Sequence, residues 1–232
     1  PDYDLNQRRV INDHIYSNKI TLGVYELGSV FKTFTIAAGL ENKVINPNTI
    51  FKNLETSLTC DKYTISEHDK LPKNLSVEQI LVRSSNIGSV KIAQKVGMEN
   101  YKEFLNSLEL FQKINFELDE VGVPLSFKWG KCKLATASFG RGIATTPLQL
   151  ARAYAILGNG GYKIQPFILK NKISSIKKGK QIVSTDTSDA INSMLRKVVS
   201  LDEGTANFAN VKGYEVGGKT GSSVKYSNDA KL

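Results

Sequence analysis

Gly28-Ser29-Val30-Phe31-Lys32 opens the run whose reading decides the fold of this chain. Residues 29–41, SVFKTFTIAAGLE, carry apolar side chains on most faces and predict a largely buried helix beginning just after Gly28. Ser29 and Lys32 lie three residues apart at its start. At that spacing both side chains share one face, and the amine can reach the hydroxyl's proton. A Lys in an apolar pocket, or beside another cation, loses proton affinity and can act as a base. The helix N-terminus favours negative charge developing near Ser29. An N-cap Ser followed by a surface Lys fits the same five residues, so the pair needs support from elsewhere.

Outward from this run, local signals place further helices. Ser76-Val77-Glu78-Gln79 matches a capping box and predicts a short helix ending before Ser84. Over 86–96, Ile87, Val90, Ala93 and Val96 recur at helical spacing, and Gly97 supplies a stop. Residues 98–110 read as another amphipathic helix. Thr146-Pro147-Leu148-Gln149 is the clearest start signal, with a capping Thr, Pro at the first helical position and Gln completing the box. Gly158-Asn159-Gly160-Gly161 ends that helix in a turn. One more helix is expected over 188–199, after Ser/Thr/Asp capping candidates. Residues 162–169 and 214–224 are strand-like, and 42–75 read as irregular and polar. No repeat or linker divides the chain, so one mixed α/β domain is expected.

Two further segments support the Ser29/Lys32 pair. Ser84-Ser85-Asn86 sits in a short turn between two predicted helices, where it can project a hydroxyl and an amide into a cleft. It also fits an ordinary helix cap. Lys219-Thr220-Gly221 follows Gly217-Gly218 in a β-rich stretch. A strand Lys offers charge to an anion, and the adjacent Gly lets a substrate approach the backbone. A glycine-rich hairpin with an exposed Lys is the alternative.

Composition narrows the classes. With 232 residues, 41% apolar and 23% charged, the chain can bury a core and is neither disordered nor collagenous. No run approaches the ~20 apolar residues of a membrane-spanning helix, and no signal segment opens it. The net charge of +9 could steer it to an anionic polymer. However, its densest cluster (Lys170, Lys172, Lys177, Lys178 and Lys180) has no interleaved aromatics and reads as a solvated face, so no nucleic-acid partner is expected. Cys60 and Cys132 could pair in an oxidising compartment or stay apart, and the sequence leaves both open. Without CxxC or HExxH, and with only His14 and His68, no metal or cofactor is expected. Asp4, Asp13, Asp61, Glu67 and the other acids show no informative spacing and read mostly as surface charge.

SxxK, SxN and KTG, in that order, resemble the motif set shared by penicillin-binding proteins and class A β-lactamases. The resemblance extends to Pro1-Asp2-Tyr3-Asp4, Gly23-Val24-Tyr25-Glu26-Leu27-Gly28-Ser29, Arg83-Ser84-Ser85-Asn86-Ile87-Gly88, Ser138-Phe139-Gly140-Arg141-Gly142-Ile143, Thr146-Pro147-Leu148-Gln149-Leu150-Ala151 and Gly217-Gly218-Lys219-Thr220-Gly221. These stretches are similar to class B penicillin-binding proteins, especially the septal, cell-division type.

The resemblance implies a transpeptidase fold, an antiparallel sheet covered by helices. It also implies that strands at both ends, and a membrane-anchored N-terminal region, lie outside these 232 residues, which would form a partial transpeptidase domain. It further implies a D,D-transpeptidase that cross-links peptidoglycan stem peptides through a serine acyl-enzyme and is trapped by β-lactams. Ser29 would be the nucleophile, Lys32 its base and Ser84 the relay toward the leaving amine. Asn86 would hold Lys32 and the substrate amide. Lys219 and Thr220 would bind the terminal carboxylate, with Gly221 beside them, and the N–H groups of Ser29 and Ser222 would form the oxyanion hole. Ser222 departs from the family's usual Thr but keeps the hydroxyl. The implied setting is the outer side of a bacterial cytoplasmic membrane, among division proteins that include a glycan polymerase. Two alternatives share the motifs: a serine β-lactamase and a non-catalytic β-lactam sensor. Against the first, the class A E-x-x-L-N pattern is absent, Glu103-Phe104-Leu105-Asn106 being one residue short.

Overall fold

The computed structural model describes residues 18–61, 63–125, 127–130, 132–169 and 179–222. Pro1-Asp2-Tyr3-Asp4, Asp13, His14, Lys170, Lys172, Lys177, Lys178 and Val224 lie outside the described residues.

The run that opened the sequence reading becomes the central helix, with one difference. Gly28–Phe31 winds as a 3-10 turn, and α1 spans Lys32–Glu41. Phe31, Phe34, Ile36, Ala37 and Ala38 are fully buried, each large apolar side chain contributing roughly 1.5–3 kcal/mol. A helix buried all round must also satisfy its polar residues. Thr33 Oγ1 meets Tyr154 Oη at 2.8 Å, and Thr35 Oγ1 donates to the Ser138 carbonyl at 2.8 Å.

Around α1 pack α2 (Val77–Val82), α3 (Asn86–Val96), α4 (Met98–Ser107) and α7 (Thr185–Ser200). Between α4 and α7 come α5 (Lys133–Ala137) and α6 (Pro147–Gly158). Both expected capping boxes form, Ser76 with Gln79 and Thr146 with Gln149. α3 has the expected bounds. α4 stops at Ser107, and 108–110 continue as turn. α7 begins at Thr185, earlier than expected, because Ser184 accepts the Thr187 N–H and Glu41 holds Ser184 in turn.

The described strands form three antiparallel pairs: β1 (Tyr25–Glu26) with β6 (Ala144–Thr145), β2 (Ile50–Phe51) with β5 (Leu75–Ser76), and β3 (Ser57–Cys60) with β4 (Tyr63–Ser66). Residues 42–75 are therefore not irregular throughout. Their hairpin escapes a sequence reading because each strand has only four residues, with Leu58 and Ile65 the only aliphatic side chains on one face and Ser or Thr on the other. Asp61, at φ +55°, makes the turn, a conformation that Asp tolerates better than most residues. Conversely, 162–169 contribute one isolated bridge, Tyr162 to Gln181, and 214–222 have no ladder partner among the described residues. Alternating side chains favour extension, but a strand exists only where another backbone pairs with it.

Cys60 and Cys132 form a disulfide with Cα atoms 5.7 Å apart. It ties the end of β3 to the residue before α5. Closing a loop of this length (the cysteines are 72 positions apart) removes roughly 4 kcal/mol of unfolded-chain entropy.

Candidate active site

Four pieces of backbone converge on Ser29. The β1–β6 pair delivers the 3-10 turn that carries it, and Gly28, at φ +57°, brings the backbone close enough for the segment at Ser222 to pass. A Cβ on Gly28 would lie 2.0 Å from the Ser222 carbonyl oxygen. Gly140, at φ +83°, is equally tight against the Gly28 carbonyl. The α2–α3 turn supplies Ser84, held at φ +57°, a conformation rare for a residue with a side chain. The hairpin strand β4 forms the remaining wall.

Lys32 and Lys219 meet at one oxygen. Lys32 Nζ donates to Ser84 Oγ at 3.0 Å and also to the Ser84 carbonyl, while Lys219 Nζ donates to the same Oγ at 2.8 Å. With both acceptor positions of that hydroxyl occupied, its own proton is free to be given elsewhere. Lys219 also donates to Thr220 Oγ1 at 3.2 Å, and Thr220 Oγ1 donates to Thr205 Oγ1 at 3.0 Å. Burial, and after it the neighbouring Lys219 charge, lower the Lys32 pKa to about 7, with Glu67 opposing the shift. Burial alone lowers that of Lys219 to about 8. A neutral Lys32 beside a hydroxyl can take a proton, and a cationic Lys219 can hold an anion.

Ser29 lines two grooves at once. The larger, about 290 Å³, runs past Asn86, Thr64, Ser66, Phe139, Gly140 and Arg141. The smaller, about 190 Å³, runs past Ser84, Thr205 and Thr220. Ser222 borders both, and Gly221 packs against Leu27 and Val30. The structure thus gathers all eight expected residues around one cleft. One expected contact differs: Lys32 bonds Ser84, whereas the Asn86 amide donates to the Ser66 carbonyl at 2.8 Å. The hairpin has taken that amide, and Asn86 Oδ1 stays buried at the groove wall with no partner among the described residues.

Glu67 is the residue the sequence reading misplaced as surface charge. Directly after β4, it accepts from Ser85 Oγ at 2.5 Å, from the Asn86 N–H at 2.7 Å and from the Ile87 N–H at 3.0 Å. It therefore caps α3, fixes the Ser84-Ser85-Asn86 turn and sets part of the field at Lys32. Nothing in its sequence neighbourhood signals this, since its partners are some 20 positions away. Glu67→Gln is expected to slow acylation at Ser29 roughly tenfold, in line with a misplaced charge-assisted contact. With the carboxylate gone, Lys32 holds its proton less tightly, so the acid limb of the rate profile should move to lower pH. A pH series on the variant checks both; an unmoved limb would refute the electrostatic part.

Fold and motif geometry together place a serine, a second hydroxyl and two lysines in one cleft. The chain matches the penicillin binding protein transpeptidase domain over residues 1–232, and it belongs to that family. It is 33% identical to the probable peptidoglycan D,D-transpeptidase FtsI of Caulobacter vibrioides over 97% of this chain and 38% of that protein. It is 29% identical to the stage V sporulation protein D of Bacillus subtilis over the whole of this chain and 38% of that protein. The transpeptidase domain of Burkholderia pseudomallei penicillin-binding protein 3 superposes with a TM-score of 0.84 at 29% identity, covering 91% of this chain and 64% of that one. The chain thus spans under half the length of these curated relatives. The transpeptidase fold expected from the sequence is the fold observed.

Proposed function

We propose that this chain carries the catalytic site of a peptidoglycan D,D-transpeptidase. Ser29 Oγ attacks the carbonyl of a D-Ala-D-Ala bond while neutral Lys32 receives its proton. N–H groups of Ser29 and Ser222 stabilise the oxyanion as it develops. Ser84 passes a proton to the departing D-Ala amine and is reprotonated from the lysines that flank it. Lys219 and Thr220 hold the terminal carboxylate, and the unpartnered Asn86 Oδ1 accepts from the donor's backbone amide. An amine on a neighbouring stem peptide then captures the ester and regenerates Ser29. β-Lactams follow the same first half and stay attached. The observation that carries this reading is the single Ser84 hydroxyl shared by two lysines of depressed pKa beside Ser29.

The setting we infer is septal wall synthesis at the outer face of a bacterial cytoplasmic membrane, with divisome proteins and a glycan polymerase as partners. The names of curated relatives, peptidoglycan D,D-transpeptidases among them, support the wall-synthesis part of this setting. Among the described residues no helix is long and apolar enough to cross a membrane.

The β-lactamase alternative needs a carboxylate free to activate water over the ester. Of the acids lining the two grooves, Glu67 spends its oxygens on Ser85, Asn86 and Ile87, Glu26 accepts from the Gly142 N–H, and Asp69 borders only the smaller groove; Glu103 lines neither. Full-length protein should therefore form a penicilloyl adduct on the Ser29 peptide that persists for many minutes, and Ser29→Ala should form none. It should also release D-Ala from a stem peptide and lose the acyl group faster when an acceptor amine is added. Rapid multiple turnover of penicillin would instead establish a β-lactamase. A stable adduct without peptide turnover would leave a sensor.

A further inference from the structure

The larger groove holds one cation that the chemistry above does not use. Arg141 lines it together with Ser29, Thr64, Ser66 and His68. Its backbone is pinned on both sides: the Arg141 N–H donates to the Thr136 carbonyl at 3.0 Å, and the Gly142 N–H donates to Glu26 Oε1 at 2.8 Å. Gly140 and Gly142, both at positive φ, turn the chain sharply around it. The guanidinium, by contrast, makes no hydrogen bond or ion pair to any described residue. Glu26, the one acid lining this groove, is already engaged by Gly142 and by the charge of Lys133. The site thus presents a fixed backbone with an unneutralised planar cation, whose donors suit a carboxylate.

We propose that Arg141 reads a side-chain carboxylate on the donor stem peptide. The inference rests on the transpeptidase reading. In that reading the donor's terminal carboxylate occupies the Lys219 and Thr220 side, bordering the smaller groove. The peptide before the scissile bond then leaves Ser29 through the larger groove, past Asn86, and its side chains reach the wall formed by Phe139, Gly140 and Arg141. Arg141 is a specificity residue for the donor and takes no part in proton transfer.

The test uses two D-Ala-D-Ala peptides identical except that the residue before D-Ala-D-Ala carries a side-chain carboxylate or its amide. D-Ala release is followed with full-length protein and no acceptor amine, so that only the donor is read. The same pair is compared as competitors of penicillin labelling, which gives the ratio even where turnover is slow. The acid donor should be favoured roughly tenfold in kcat/KM, the scale of one charge-assisted contact. Arg141→Gln should bring the ratio near one, and Arg141→Glu should invert it. Equal use of both donors by the unmodified protein overturns the proposal, as does a preference that survives Arg141→Gln. An acid preference seen only when the carboxylate is on an added acceptor overturns the donor assignment. Failure of the underlying reading shows separately, as absence of a penicilloyl adduct on Ser29. Should Arg141→Gln not fold, Arg141→Lys carries the test: charge without the planar fork should keep only part of the preference, and full retention counts against the proposal.

Discussion

Penicillin acylation of Ser29 is expected to peak between about pH 7 and about pH 8, because the two lysines must hold opposite protonation states. Below about 7 Lys32 is protonated and cannot accept the Ser29 proton. Above about 8 Lys219 becomes neutral and loses its attraction for the ligand carboxylate. Lys32→Ala should therefore slow acylation by ~10²–10⁴-fold at every pH and erase the acid limb. Lys219→Ala should raise the ligand concentration needed for half-maximal labelling and flatten the alkaline limb. Rates measured from pH 5.5 to 9.5 on the three proteins check this, and an acid limb that persists in Lys32→Ala would reassign the base. Stability carries the same signature. Both lysines hold protons less tightly in the folded protein than in the unfolded chain. The unfolded chain therefore binds more protons from about 7 up to the ordinary Lys value of 10.5. Folding stability should rise with pH across that interval and be lowest below it.

Gly28→Ala is expected to be as damaging as loss of a catalytic group, although Gly28 takes no part in the chemistry. A side chain at φ +57° costs about 1–2 kcal/mol in itself. The new methyl would also meet the Ser222 carbonyl oxygen at 2.0 Å. That oxygen belongs to backbone and cannot rotate away, so the segment bearing Lys219 and Thr220 must retreat from Ser29. Labelling should fall by at least ~10²-fold, as expected for reacting groups displaced by about an ångström. The thermal midpoint should drop by several degrees. Labelling at the unmodified rate would show that the close approach of the two segments is not needed.

What was legible in the sequence was mostly local. Capping boxes at Ser76 and Thr146, the stop at Gly97 and the SxxK face depend on residues three or four apart, and folding does not alter that spacing. The cleft was legible through resemblance, since no periodicity brings Ser29, Ser84 and Lys219 together. What stayed hidden was contact between distant segments: Glu67 on the Ser85-Asn86 turn, Asn86 on the Ser66 carbonyl and the pairing of Cys60 with Cys132. Each joins a polar group to a partner that only the folded chain supplies. Over 214–222 the expected strand finds no ladder partner among the described residues, and a ladder requires a second backbone.

The sulfur bridge between Cys60 and Cys132 changes what a break in the chain would mean. Ser29 and Lys32 lie before Cys60, and Lys219 lies after Cys132. Between the two cysteines, the described residues of 108–130 contain no helix or strand, the kind of connection whose exposed parts proteases cut first. In an ordinary chain a single cut there would separate Ser29 from the segment bearing Lys219. Here the two pieces would remain one molecule, joined from the end of β3 to the residue before α5. Across the stretch between Cys60 and Cys132, the segments bearing Ser29 and Lys219 are thus connected by two covalent routes, and scission of either one alone leaves them tethered.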